Sequence, residues 1–253
     1  MNRALLTRGA GVVLLICLAA CYATAYFNHS LFPGFEANGP ARGWLTWTDQ
    51  SRYLTESTAI SRLQLNAASY FYPIGYPLLG AAFVKWLPNN AFFVPNTILI
   101  IGAACVWWRL ALRWLNPILA LGTGIVFVLT HSWLVSQTMI VPWNTIATQF
   151  TLLAGIAIVI GIVDSAAVLY LAILAAVTYI IRPIDAVAFA PLLVFATMRL
   201  PSWRLRIGRG LAGLVLIGLA VGPWAVLTSC CWDSGVLRTR SSQPKPLGSF
   251  RIR

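Results

Sequence analysis

The sequence predicts an all-α protein: a polytopic bundle of transmembrane helices with an outer loop that carries a short interfacial helix. Three observations predict it. The chain is 59% hydrophobic and only 9% charged, which leaves too few polar faces for a core that meets water all round. The apolar residues come in unbroken runs, and about 18 or more such residues cross a hydrocarbon layer of roughly 30 Å as a helix. The net charge of +12 comes from 18 Lys and Arg against six carboxylates, and the basic residues stand at the ends of the runs, as positive-inside anchoring requires.

The first run, 10–27, follows Arg3 and Arg8, which set the N-terminus inside. Leu18-Ala19-Ala20-Cys21 resembles a lipoprotein cleavage box, but the run continues to Phe27. It therefore reads as a retained first span and not as a signal peptide. The loop 28–73 then collects Glu36, Asp49 and Glu56, half of all the acids. Carboxylates at a membrane surface suit the activation of a hydroxyl or the binding of a cation. Inside the loop, 49–63 reads as an interfacial helix. Asp49, Arg52, Tyr53 and Glu56 recur at three- and four-residue spacing and share a face, with Leu54, Ile60 and Leu63 turned toward lipid headgroups. Thr46-x-x-Asp49 also reads as a capping box, so these residues alone leave Asp49 either a cap or a base.

Tyr72-Pro73-Ile74-Gly75-Tyr76-Pro77-Leu78-Leu79 carries two prolines and a glycine, which set a turn and start a helix. The segment 74–87, 14 residues with Pro77 inside and Lys85 near its end, is short for a span. Further runs follow at 91–108 (interrupted by Asn96), 117–135 (with His131), 145–163, 165–181, 184–198 and 210–228. Six to eight membrane helices are expected. If 74–87 does not cross, the clusters Arg109/Arg113 and Arg199/Arg204/Arg206/Arg209 share the inner side. The outer side then collects 28–73, the stretch with Gln137 and Asn144, and the turn Arg182-Pro183-Ile184-Asp185. Arg182 pairs locally with Asp185 or reaches a lipid-linked phosphate, whose geometry a guanidinium matches. Residues 1–232 form one transmembrane domain. Residues 233–253 turn abruptly to Ser, Pro, Arg and Lys, a basic tail that reads as a truncated or non-native end.

Nucleic-acid binding is excluded as a reading, because the basic residues form no stripe with interleaved aromatics. Eleven Trp and eight Tyr fit interfacial aromatic belts. Cys17, Cys21 and Cys105 lie inside apolar runs and are expected as buried thiols. No metal-site spacing, Walker, HExxH or GxGxxG pattern occurs. No cofactor is called for; a divalent cation at the carboxylates is the one candidate.

In order and content these pieces resemble the GT-C glycosyltransferases, polytopic enzymes related to protein mannosyltransferases and the aminoarabinose transferases of lipid A. The resemblance runs through a first helix, the outer loop with Asp49 and Tyr53, the stretch Gly75-Tyr76-Pro77-Leu78-Leu79, and a long apolar array containing Arg182-Pro183. It implies a helical fold in the bacterial inner membrane, with the active face outward and a polyprenyl-phosphate sugar as donor. A lipid, protein or glycan would be the acceptor. Asp49 would then be the catalytic base and Arg182 a donor-phosphate ligand, with Arg52, Tyr53, Glu56, Tyr76 and Asn144 around the substrate. Two departures stand out: Gln50 occupies a position where the family commonly has an acid, and the family's chains are usually much longer.

The competing expectation is a non-enzymatic multispanning protein, such as a transporter or flippase subunit. That class puts ionisable groups at mid-membrane on broken helices, whereas nearly all acids here fall at predicted interfaces.

Overall fold

The computed structural model describes residues 3–28, 48–64, 72–88, 90–130, 143–162 and 164–233. Every regular element among them is a helix. In chain order these are α1 (Arg3–Asn28), α2 (Thr48–Ser61), α3 (Gly75–Ala81), α4 (Phe93–Ala111), α5 (Pro117–Thr130), α6 (Thr145–Gly161), α7 (Ala166–Ile181), α8 (Pro183–Ala186), α9 (Phe189–Met198) and α10 (Trp203–Asp233). Only helices satisfy every backbone group within a single apolar segment, so the composition and the fold agree.

The long helices run between two chemically different ends. α1 lies antiparallel to α4: Gly11 packs on Trp108 near one end, and Tyr22 stacks on Phe93 near the other. α6 starts beside the α4 N-terminus and finishes beside its C-terminus, where Arg113 Nη1 donates to Ile160 O at 3.1 Å. α9 reaches the same place, and Arg199 Nη1 donates to Val159 O at 2.6 Å. Both arginines thus satisfy carbonyls that the last turn of α6 leaves open, at the negative end of its dipole. The two basic clusters therefore share one end, as charge counting expects, and the acidic helix α2 lies at the other.

Between the ends, α7 packs against α6, α9 and α10. Val159, Val168, Leu171, Phe189 and Leu200 form its core, and the small side chain of Ala172 lets α10 approach at Gly213. Such small-residue contacts bring helix backbones close where lipid supplies no hydrophobic drive. Outward, Ile98, Ile118, Ile173, Leu214 and Leu219 are all exposed, far more apolar surface than a soluble monomer carries. Cys17 and Cys21 lie on this outer surface and Cys105 is half-buried, so the expected burial of the thiols is corrected. Cysteine is short and α1 turns that side away from the bundle.

By length and composition, three described helices can cross a membrane: Leu6–Phe27, Phe93–Ala111 and Trp203–Pro223. The expectation of six to eight membrane helices is therefore met only in part among the described residues. Shorter apolar helices cover Pro117–Val126, Thr145–Gly161, Ala166–Ile181 and Pro183–Met198. At 1.5 Å per residue, the 16 and 17 residues of α7 and α6 give about 25 Å, short of a hydrocarbon layer of roughly 30 Å. The run 184–198 is divided by turns at Val187 and Ala188 between α8 and α9. It is separated from α7 at Arg182, extended (φ −156°, ψ 98°) before Pro183, because proline excludes the helical conformation from the residue before it. The segment 74–87 contains only the seven residues of α3, about 10 Å of helix, followed by turns through Trp86. It is too short to span, which is the case that charge counting favours.

A helix forms where the interfacial one is expected, as α2, with its faces partly redistributed. Ile60 is buried and Leu63 is 84% exposed, so Ile60 joins the bundle and only Leu63 points away. The helix closes with Leu63 in the left-handed region (φ 56°). Gln64 N donates to Ala59 O, and Leu63 N to Ile60 O, each at 2.9 Å, the Schellman pattern that glycine usually serves. A β-carbon there costs about 1–2 kcal/mol. Leu63→Gly is accordingly expected to raise the melting temperature of the solubilised protein by a few degrees; an unchanged or lower value would mean that Leu63 makes a stabilising contact of its own.

Glu36, Thr46, His131, Gln137 and the tail after Asp233 lie outside the described residues.

Candidate functional site

Four segments distant in sequence meet at the end opposite the arginines. α2 presents Asp49, Tyr53 and Glu56 inward, spaced so that they fall on one face. Tyr53 is 1% and Glu56 2% exposed. Arg52 is exposed, one step round the helix, and so stands at the rim of this face and not within it. Its charge still acts on Tyr72, whose acidity it increases.

The next segment, 72–80, folds over α2. The Tyr72 hydroxyl donates to Asp49 Oδ1 at 2.5 Å, and its backbone N–H donates to Glu56 Oε1 at 3.3 Å. Ser57 Oγ lies 2.7 Å from Tyr53 O and 2.8 Å from Pro77 O, so its single proton serves one at a time. Two glycines make the approach possible. A β-carbon on Gly80 would lie 2.6 Å from Ser57 Oγ and 2.7 Å from the Phe92 ring. One on Gly75 would lie 2.9 Å from the Ile180 carbonyl. The motif read as a turn entering the membrane is therefore also the clamp that holds the acidic helix.

Beneath these groups lies an aromatic floor. Tyr53 and Tyr72 have centroids 4.6 Å apart, Tyr53 meets Tyr76 edge-on at 5.0 Å, and Tyr76 stacks on Phe92 at 4.6 Å. Each such pair adds about 0.5–1.5 kcal/mol beyond its area. The Tyr76 hydroxyl donates to Asn96 Oδ1 at 3.1 Å, which explains the amide that interrupts the run 91–108. Tyr76 is thus fully buried as part of the floor.

The third and fourth segments are the start of α6 and the end of α7. Asn144 Nδ2 donates to Ile181 O at 3.3 Å, closing the last turn of α7, and Asn144 Oδ1 is buried with no partner among the described residues. Arg182 Nη1 donates to Thr145 Oγ1 at 3.3 Å and lies 3.4 Å from Asp185 Oδ2. The local ion pair is therefore present. Both contacts use Nη1, and the side chain keeps 39% of its surface exposed.

Electrostatics tie the four segments together. Burial pushes the Tyr53 hydroxyl well above its ordinary acidity constant; Tyr72, Asp49 and Glu56 add to the rise, and Arg182 opposes it. Asp49 and Arg182 thus act on one hydroxyl although they lie far apart in sequence. The Tyr53 hydroxyl is buried with no hydrogen-bond partner among the described residues. Tyr72 is pushed up to about 12, first by desolvation and then by its bond to Asp49. At neutral pH Tyr72 keeps its proton and remains a donor, so it orients the carboxylate without giving that proton up.

Asp49, Tyr53, Glu56, Tyr76, Asn144 and Arg182 are therefore brought together, with Arg52 at their edge. Tyr72 and Thr145 are the partners that sequence reasoning missed as site residues. Tyr72 stood in the quoted motif, but nothing in its spacing points to Asp49. Gln50, where the family resemblance expects an acid, is 2% exposed. A neutral amide avoids burying another carboxylate in a helix that already buries Glu56. No three of His, Cys, Asp and Glu cluster as metal ligands among the described residues, so a divalent cation would need ligands from elsewhere. No family model, curated protein or solved structure matches the chain.

Proposed function

We propose that this chain acts as a membrane glycosyltransferase of the GT-C kind, transferring a sugar from a polyprenyl-phosphate donor to an acceptor at the outer face of the bacterial inner membrane. The observation that carries the reading is the convergence of Asp49, Tyr53, Tyr72 and Arg182 at one end of an apolar bundle, with the arginine clusters at the other. On this reading Asp49 Oδ2 takes the proton of the acceptor hydroxyl, while Tyr72 holds Oδ1. The acceptor oxygen forms a bond to the anomeric carbon, and the bond from that carbon to the donor phosphate breaks. Polyprenyl phosphate leaves with the electron pair, and Arg182 offsets the charge it acquires. Arg52 lies where a lipid headgroup or acceptor arrives, and the shorter helices cross by local thinning of the bilayer. A lipid, protein or glycan hydroxyl all suit this chemistry.

The non-enzymatic alternative has less support. Among the described residues, every Asp, Glu, Lys and Arg lies in a link, in α2 or α8, or near a helix end, whereas a transporter's coupling groups sit at mid-membrane.

Two measurements test the proposal. Membranes carrying the protein should transfer labelled sugar from a polyprenyl-phosphate donor, and no transfer to lipid, protein or glycan acceptors would reject the enzymatic reading. Sidedness is read separately with an impermeant thiol reagent on intact cells. A cysteine replacing Ser51 should react and one replacing Ser202 should not. The opposite pattern would place the acidic face inside and remove the site from an outer-leaflet acceptor.

A further inference from the structure

The arginine end carries a second site. Arg113 comes from the turn after α4 and Arg199 from the turn after α9, yet both reach the last turn of α6. Their targets, Ile160 O and Val159 O, are consecutive carbonyls, which on a helix stand about 3.5 Å apart. The two Nη1 atoms therefore lie within about 9 Å of each other. Arg199 is further fixed over the Phe195 ring, 5.6 Å from its centroid. Gly161 leaves room for Arg113, whose Nη2 would lie 3.3 Å from a β-carbon there.

Both side chains belong to exposed residues, and each spends only Nη1 on a carbonyl. The surrounding charge is one-sided. Arg109, Arg204, Arg206 and Arg209 stand at the same end, and Arg206 Nε is engaged by Leu200 O at 2.9 Å. The nearby acid, Asp164, accepts from Ala166 N at 2.8 Å, and among the described residues it makes no ion pair. The ion pair Arg182–Asp185 lies at the far end. Helix-end carbonyls offset part of this repulsion but supply no full negative charge. Trp114 and Trp203, 69% and 71% exposed, mark the level at which indole rings meet lipid headgroups.

We propose that Arg113 and Arg199 form a binding site for the phosphate of an anionic phospholipid in the inner leaflet. Two forks held by one helix terminus, with open nitrogens, an aromatic rim and apolar helices leading away, match a headgroup phosphate whose acyl chains run along the bundle. The site is independent of the sugar-transfer reading.

The test follows the melting temperature of the purified full chain in non-ionic detergent during titration with phosphatidylglycerol, phosphatidylcholine or inorganic phosphate. Phosphatidylglycerol should raise it by about 5 °C or more near saturation, and the other two should not. The pair Arg113→Gln and Arg199→Gln removes both charges, and the shorter amide side chains withdraw from the α6 carbonyls. It should need about thirtyfold more phosphatidylglycerol for the same rise. The pair Arg204→Gln and Arg209→Gln, which leaves both pinned forks intact, should shift the titration much less. An equal response to phosphatidylcholine, a response reproduced by inorganic phosphate, or an equal loss in the two variant pairs would each overturn the site. If the first pair does not fold, native mass spectrometry of the parent decides: selective retention of phosphatidylglycerol supports the site, and equal retention of phosphatidylcholine overturns it.

Discussion

Asp49→Asn is expected to slow sugar transfer by about 10²–10⁴-fold, the usual worth of a positioned general base, with little change in folding. The substitution is close to isosteric. Asparagine Oδ1 still accepts the Tyr72 hydroxyl, so the clamp over α2 survives. Asparagine also serves helix N-termini as well as aspartate does, so the start of α2 is not weakened. What disappears is the ability of Oδ2 to take a proton. The measurement is transfer from a polyprenyl-phosphate donor in membranes that carry equal amounts of inserted protein. Tyr72→Phe provides the companion reading. It leaves the base in place but loose, so a smaller loss is expected. If Asp49→Asn transfers as fast as the parent, Asp49 is a structural residue and the chemistry lies elsewhere.

What the sequence reveals of this site follows from the range of the forces involved. Hydrophobic run length and helical periodicity are local, and they deliver the helical class, the helix α2 and the shared face of Asp49, Tyr53 and Glu56. Charge placement is nearly as local, and it correctly puts Arg113 and Arg199 at one end. The bond between Tyr72 and Asp49 is not local. It depends on how a loop returns across a helix, and no periodicity encodes that. The same holds for Thr145, which meets Arg182 only because α6 and α7 pack antiparallel. The number of spans has a different origin: hydropathy finds the apolar runs, but helix length decides crossing, and the run 184–198 divides into α8 and α9 with turns between them. Arg52, put on the shared face of α2 by its spacing, stands at the rim, and this is as finely as spacing draws a face.

The close approach that builds the site should be the most fragile part of it, and Gly75→Ala is expected to show this. The new β-carbon would lie 2.8 Å from Ile181 Cγ1 and 2.9 Å from the carbonyl carbon and oxygen of Ile180. Side chains can swing aside, but a helix backbone cannot, so α3 must move off the end of α7. Overpacking of this kind costs about 1–3 kcal/mol, and for a chain of this size each kcal/mol lowers the melting temperature by about 2–4 °C. The displacement also spreads to the site. Tyr76 follows Gly75 directly, and Tyr72 lies just before it, so both Asp49 and the aromatic floor lose register. A shift of about 1 Å is enough to cost 10²-fold in rate, although Gly75 has no functional group. Gly122→Ala is the control. Gly122 lies in α5 with nothing within 4 Å of its would-be β-carbon, and alanine in an open helical position is favoured by up to about 1 kcal/mol. The two variants should therefore move in opposite directions in the same melting experiment. If Gly75→Ala melts with the parent, α3 does not press on the end of α7, and the geometry that joins Asp49 to Arg182 fails with it.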